Sequence, residues 1–141
     1  MILCSACLAG IHCRYDGESR EHTEILDLLA LGELLLVCPE QLGGLSTPRS
    51  KMSLRGGDGA DVWEGKARVL DERGRDRTEA LIRGSRECLI LARRIGANRA
   101  ILKEMSPSCG CYRVLVDGKW VSGQGVCTAL LTRSGIRVEA R

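Results

Sequence analysis

The chain has 141 residues, 44% of them hydrophobic, enough to bury one core of ordinary size, and it is expected to form a single domain over residues 1–141. A formal net charge of +3 with scattered basic residues, and only two Trp, two Tyr and no Phe to stack on bases, argue against a dedicated nucleic-acid surface. The longest apolar run, near Leu28 to Val37, is broken by Gly32 and Glu33, so no membrane span is expected. The start MILCSACLAG has neither the charged nor the long apolar region of an export signal, so the eight cysteines read as free thiols of a cytoplasmic protein.

Met1-Ile2-Leu3 reads as a first buried strand. Residues 8–20 carry Gly and charge without periodicity and read as a loop. From about His22 to Leu31, Ile25, Leu28 and Leu29 share one helical face, and Gly32 ends the helix. A second strand, Leu34 to Val37, runs into Cys38-Pro39, where Pro39 cannot donate a ladder hydrogen bond and the sheet should stop. Residues 39–65 are rich in Pro and Gly and read as a long surface excursion, followed by a short ribbon at Ala67 to Leu70. Within that excursion, RGGDG at 55–59 lacks the Gly-Lys-Ser/Thr ending of a phosphate-binding loop and reads as a flexible turn that opens no helix. Asp76 with Glu79 three residues on makes a capping-box start for a second helix. Leu81, Ser85, Cys88, Ala92 and Ile95 recur along that helix, and Gly96 closes it. A third strand near Ala100 to Leu102 leads into Lys103 to Gly110. Val114–Val116 and Lys119–Val121 then flank Asp117-Gly118, a two-residue hairpin signal. A third helix from about Gly125 to Ser134 and a last strand at Ile136 to Val138 complete the order. The fold class that follows is α/β, a single-domain layered α/β sandwich with a mainly parallel sheet, plus a hairpin and a long Gly-rich excursion.

Cys7, Cys38 and Cys109 each stand just after one of the three apolar runs. Ligands of open parallel sheets bind beyond the carboxyl ends of the strands, so the three thiols are expected to share one edge. There they would suit a soft metal or an iron-sulfur cluster with one position left for substrate. Cys4, Cys88 and Cys127 read as core residues, and Cys13 as a bystander or an extra ligand. Glu40 and Glu104 lie close to the thiols and are either proton-transfer groups or solvated loop acids. Ser106 and Ser108 carry a similar ambiguity, since Ser-Pro is ordinary turn chemistry. Arg14, Arg49 and Lys103 fall on the same edge, where they would hold a phosphate, polarise a carbonyl or simply be surface charges. Three functional classes remain open: a metal-dependent enzyme, a non-catalytic module binding zinc or carrying a cluster, and a thiol redox protein using Cys4 and Cys7.

CLAGIHCRYDG at 7–17, VCPEQLGGLSTPR at 37–49 and ILKEMSPSCG at 101–110 together resemble the thiouracil desulfurases, a bacterial family long catalogued as a domain of unknown function. The likeness extends to GDGADVWEG at 57–65 and GQGVCTALLTRSGI at 123–136, and so covers nearly the whole chain. The resemblance implies a four-iron four-sulfur cluster on Cys7, Cys38 and Cys109 with one open iron, and catalytic roles for Glu40 and Ser106. It also implies a small thiolated pyrimidine as substrate, 2- or 4-thiouracil or its nucleoside or monophosphate, converted to the oxo form with release of sulfide and no net electron transfer. Arg14, Asp16, Arg49 and Lys103 are the expected substrate contacts, and the oligomeric state is not implied. Cys111 and Cys127 depart from the family pattern, and Cys111 is expected either to be a neutral replacement or to reach the open iron.

Overall fold

Two four-stranded sheets organise the protein, a computed structural model of which describes all of residues 1–141. The first sheet joins β1 (Ile2–Ser5), β2 (Leu34–Val37), β5 (Arg99–Leu102) and β8 (Arg137–Ala140) in the order β2-β1-β5-β8, with every pairing parallel. Central strands of such a sheet are covered on both faces, so β1 and β5 read as continuous apolar runs rather than alternating ones. Successive side chains still point to opposite faces. Leu3, Ala100 and Leu102 pack against α4 (Thr78–Arg94) and α5 (Val126–Arg133), where they meet Cys88, Cys127 and Leu131. Cys4 and Ile101 face the other way, toward Ile25 of α1 (Thr23–Ala30) and the short 3-10 turn Ala6–Ala9. Cys4, Cys88 and Cys127 are all fully buried, as their positions in the sequence suggested.

The second sheet corrects the reading of residues 39–65 as an excursion. β3 (Met52–Arg55), β4 (Arg68–Asp71), β6 (Arg113–Val116) and β7 (Lys119–Ser122) pair in the order β4-β3-β6-β7, so the expected ribbon and hairpin are two halves of one sheet. A single registered pair, Leu54 opposite Val116, joins the halves in parallel, and so long-range a pairing leaves no local sequence signal. Asp117 and Gly118 sit at φ 50° and 78°, the left-handed pair that a two-residue type I′ turn requires. RGGDG is likewise corrected: Asp58 opens a helix, α3 (Gly59–Trp63), through a reciprocal capping box with Asp61.

The α4 start is also simpler than expected. Asp76 Oδ1 accepts from Thr78 N at 2.9 Å and the helix begins at Thr78, with no return contact from Glu79. Against α4 lies the short helix α2 (Pro39–Leu42), and a Cβ built on Gly84 would stand 1.8 Å from the Pro39 carbonyl oxygen. A glycine is therefore required for the two helices to touch at this point. No helix is long and apolar enough to cross a membrane.

Candidate active site

β2, β1 and β5 are adjacent, so the segments leaving their carboxyl ends meet at one edge. Ser5 at the end of β1 ties the edge together by accepting the Lys103 amide at 3.0 Å. Cys7 leaves β1 in the 3-10 turn, Cys38 caps α2 directly after β2, and Cys109 follows β5 in the loop 103–111. All three line one cavity of about 250 Å³, and all three are buried and unpaired.

The Cys109 loop is held from three sides. Ser106 Oγ accepts from the amides of Ser108 and Cys109, at 3.2 and 3.1 Å. The α5 amides of Val126 and Cys127 donate to the Pro107 and Ser108 carbonyls at 2.9 and 2.8 Å, so the loop satisfies the open N-terminus of that helix. This approach depends on Gly125, where a Cβ would lie 2.4 Å from the Ser108 carbonyl carbon. Glu104 closes the third side by accepting from the amides of Met105, Cys111 and Tyr112. Burial works to raise the Glu104 carboxyl, and these amides together hold it below the ordinary glutamate value. Glu104 is thus a structural acid, and it supports Met105 in a left-handed conformation at φ 63°.

Glu40, on the first turn of α2 and 7% exposed, is the carboxylate that reaches the thiols. Its Oε1 accepts from the buried Ser108 hydroxyl, and its Oε2 accepts from Cys38 Sγ at 3.4 Å. Ser108 Oγ also lies 3.0 Å from Ser106 Oγ and 3.5 Å from Cys109 Sγ, so hydroxyls and carboxylate form one chain between two of the three thiols. Ser108, which the sequence reading left between a site role and ordinary turn chemistry, stands in the site. The SPSCG motif contains it, but only the fold aims it at Glu40 across 68 residues.

Arg49 is the nearest cation to Glu40, at 4.0 Å, and its guanidinium is otherwise turned inward. It donates to the Cys13 carbonyl at 3.0 Å and to Ser46 and Thr47 oxygens, which straps three segments around the cavity. Arg14, Arg49 and Lys103 all line the cavity, joined by Arg20 and Lys51. Asp16 does not line it. The Asp16 carboxylate accepts the Glu18 amide at 2.9 Å and lies 3.5 Å from Arg14 Nε, so it acts on Arg14 rather than facing the cavity. Cys111 is also turned away, packed in the α4-α5 core with its thiol toward the Cys109 carbonyl at 3.6 Å. Cys13 is in the cavity wall, beside Cys7 and Cys38.

The chemistry of this donor set is soft. Its contact with Cys13, then burial and Glu40, push the Cys38 thiol up, and burial and Glu40 push Cys109 up, so both carry protons near neutral pH until a metal displaces them. The hydrogen bond with Cys38 pulls Cys13 down, while the one with Cys7 and burial prevail and set it at about 11. No three His, Cys, Asp or Glu side chains converge to grip a single ion. Three reduced thiols from three separate segments around one cavity fit a polyatomic cluster, whose corners are reached by separate ligands. Cys4 does not fit a redox pair with Cys7: its thiol is turned to the Ser5 carbonyl at 3.6 Å, and burial pushes it up to about 12, far from the thiolate that such chemistry needs.

A parallel-sheet edge that gathers three free buried thiols, a buried carboxylate and a rim of cations around one cavity is the arrangement of a small-molecule site with soft-ligand chemistry. The chain belongs to the 2-thiouracil desulfurase family, which it matches over residues 2–141. It is 43% identical over 141 residues to the uncharacterized protein YbbK of Bacillus subtilis (strain 168), covering 98% of this chain and 93% of that one. It is also similar to the solved structure of the [4Fe-4S]-dependent thiouracil desulfidase TudS, with 39% identity and a TM-score of 0.87 over 99% of this chain and 89% of that one.

Proposed function

We propose that the protein replaces the sulfur of a thiolated pyrimidine with oxygen from water, turning 2- or 4-thiouracil, or its nucleoside or monophosphate, into the oxo form and sulfide. The observation that carries this reading is the convergence of three buried, reduced thiols and one buried carboxylate on a single cavity. Family membership and the likeness to TudS support the same chemistry.

Cys7, Cys38 and Cys109 are the residues to hold a [4Fe-4S] cluster. When bound, with one iron free of protein ligands, it supplies a Lewis acid and a soft acceptor for the thiocarbonyl sulfur. Glu40 takes a proton from the water that attacks the ring carbon. The Ser108 hydroxyl fixes Oε1 so that the second carboxylate oxygen faces the reacting atoms once the Cys38 proton is gone. Ser106, half-buried in the cavity wall, orients the substrate or the water. Water contributes the carbonyl oxygen and two protons, and the sulfur departs as hydrogen sulfide, so electrons balance without an external donor. Arg14, with Arg20, Lys51 and Lys103, places positive charge at the cavity and suits a substrate phosphate, while Asp16 orients Arg14.

The test is Glu40→Gln in protein loaded with iron and sulfide under anaerobic conditions. Iron content and visible spectrum should match wild type while turnover falls about 100-fold or more, the range for loss of a positioned general base. Full turnover in that variant would remove Glu40 from the mechanism.

A further inference from the structure

The chain has four aromatic side chains, two Trp and two Tyr, and two of these rings already carry cations. Trp63 Nε1 donates to the Val126 carbonyl at 2.8 Å, and its ring carries Arg86 and Arg133 at 5.6 and 4.9 Å. The Tyr15 ring carries Arg14 and Lys51 at 5.6 and 5.9 Å. Tyr112 stands 65% exposed outside the cavity. Trp120 differs from all of them. It lines the cavity, no cation stacks on its ring, and it is 40% exposed on β7, an edge strand on which no residue is buried. Nothing in the core explains a tryptophan there. Its cross-strand partner is Leu115, which also lines the cavity, so these two neighbours on one face of the hairpin give the cavity an apolar wall.

Thiols and Glu40 occupy the part of the cavity formed at the strand ends, and the cations serve charged groups. Two aromatic rings stand in the cavity wall, and because Tyr15 already carries Arg14 and Lys51, the indole is the one with a face left for a planar ring. We propose that Trp120 is a specificity-determining residue that stacks on the pyrimidine ring of the substrate, with Leu115 behind it. This rests on the function proposed above. It assigns the second sheet a role in recognition, while the strand ends of the first carry the chemistry. Stacking acts alike on the thio and oxo forms, so it contributes to binding and not to the chemical step.

The experiment is calorimetric titration of cluster-loaded wild type, Trp120→Phe and Trp120→Ala with uracil, together with KM and kcat for 2-thiouracil and iron per chain. Trp120→Ala should weaken uracil binding and raise KM by about 10-fold or more, with kcat and iron content unchanged. Trp120→Phe should recover most of the loss. Should the Ala variant not fold, Trp120→Leu replaces it, with the same contrast expected against Phe. Wild-type protein that binds uracil and turns over thiouracil, with an Ala or Leu variant that matches it, overturns the role of Trp120 alone. Wild-type protein that neither binds uracil nor turns over thiouracil overturns the proposed function itself.

Discussion

Ser108 sits at the centre of the polar chain, because its single hydroxyl serves Glu40 while lying within reach of Ser106 and Cys109. Removing that hydroxyl leaves a buried carboxylate oxygen without its donor, a loss that hydrogen bonds to charged groups place at about 1.5–3 kcal/mol. Ser108→Ala is therefore expected to lower turnover about 10-fold or more while the loaded protein keeps its iron. Unchanged kcat in an iron-replete Ser108→Ala protein would show that Glu40 needs no such support. Cys7, Cys38 and Cys109 were legible as a set in the sequence because each follows an apolar run and strand order alone brings the ends together. Ser108 and Cys13 were left open, since position in a motif does not say which way a side chain points. The opposite failure is Asp16, a polar residue inside a recognisable motif whose carboxylate is used up by a turn and by Arg14.

Between elements, the close contact of α2 with α4 determines where Glu40 stands. Any side chain at Gly84 drives into the Pro39 carbonyl, which is backbone and cannot swing aside. Gly84→Ala should cost at least the 1–3 kcal/mol typical of overpacking and should shift α2, so that cluster retention falls along with the thermal midpoint. A Gly84→Ala protein of wild-type stability and iron content would contradict the role given to this contact. At the far end of the second sheet, Asp71 organises the turn to α4 by accepting from the Arg73 and Arg75 amides and the Arg75 and Arg77 guanidinium groups. Burial works to raise its carboxyl, yet the Arg75 and Arg73 hydrogen bonds prevail and hold it at about 2, below the ordinary 3.8. A depressed carboxylate stabilises the fold above pH 3.8 and loses that contribution as pH falls through about 2. Denaturant unfolding across this range should show a slope in wild type that Asp71→Asn lacks, and equal slopes would contradict the assignment. Strands β1, β2 and β5 and helices α1, α4 and α5 were legible because each carries its own period or cap. In the second sheet the β6–β7 hairpin was legible from Asp117-Gly118, whereas β3, which lies inside the stretch read as an excursion, and its single registered pair with β6 were not.

At the scale of the molecule, the first sheet gathers thiols from three distant segments, Cys7, Cys38 and Cys109, at one edge, and the second closes the cavity with β3, β6 and β7. The hydrophobic clusters follow that division. Two cover the faces of the parallel sheet and the third joins the second sheet to α3, α4 and α5. The layered α/β class was legible from the alternation of elements, whereas the closing of the cavity by a second sheet depends on pairings that only the folded chain makes.

One measurement tests the central claim most directly: iron, acid-labile sulfide and thiouracil turnover on a single anaerobic preparation of wild type and of the Cys7→Ala, Cys38→Ala and Cys109→Ala proteins. About four irons and four sulfides per wild-type chain are expected, with uracil and sulfide formed in equal amounts, and cluster and activity lost together in each variant. Zinc or no metal in the wild type, or a variant that keeps both cluster and turnover, would contradict it.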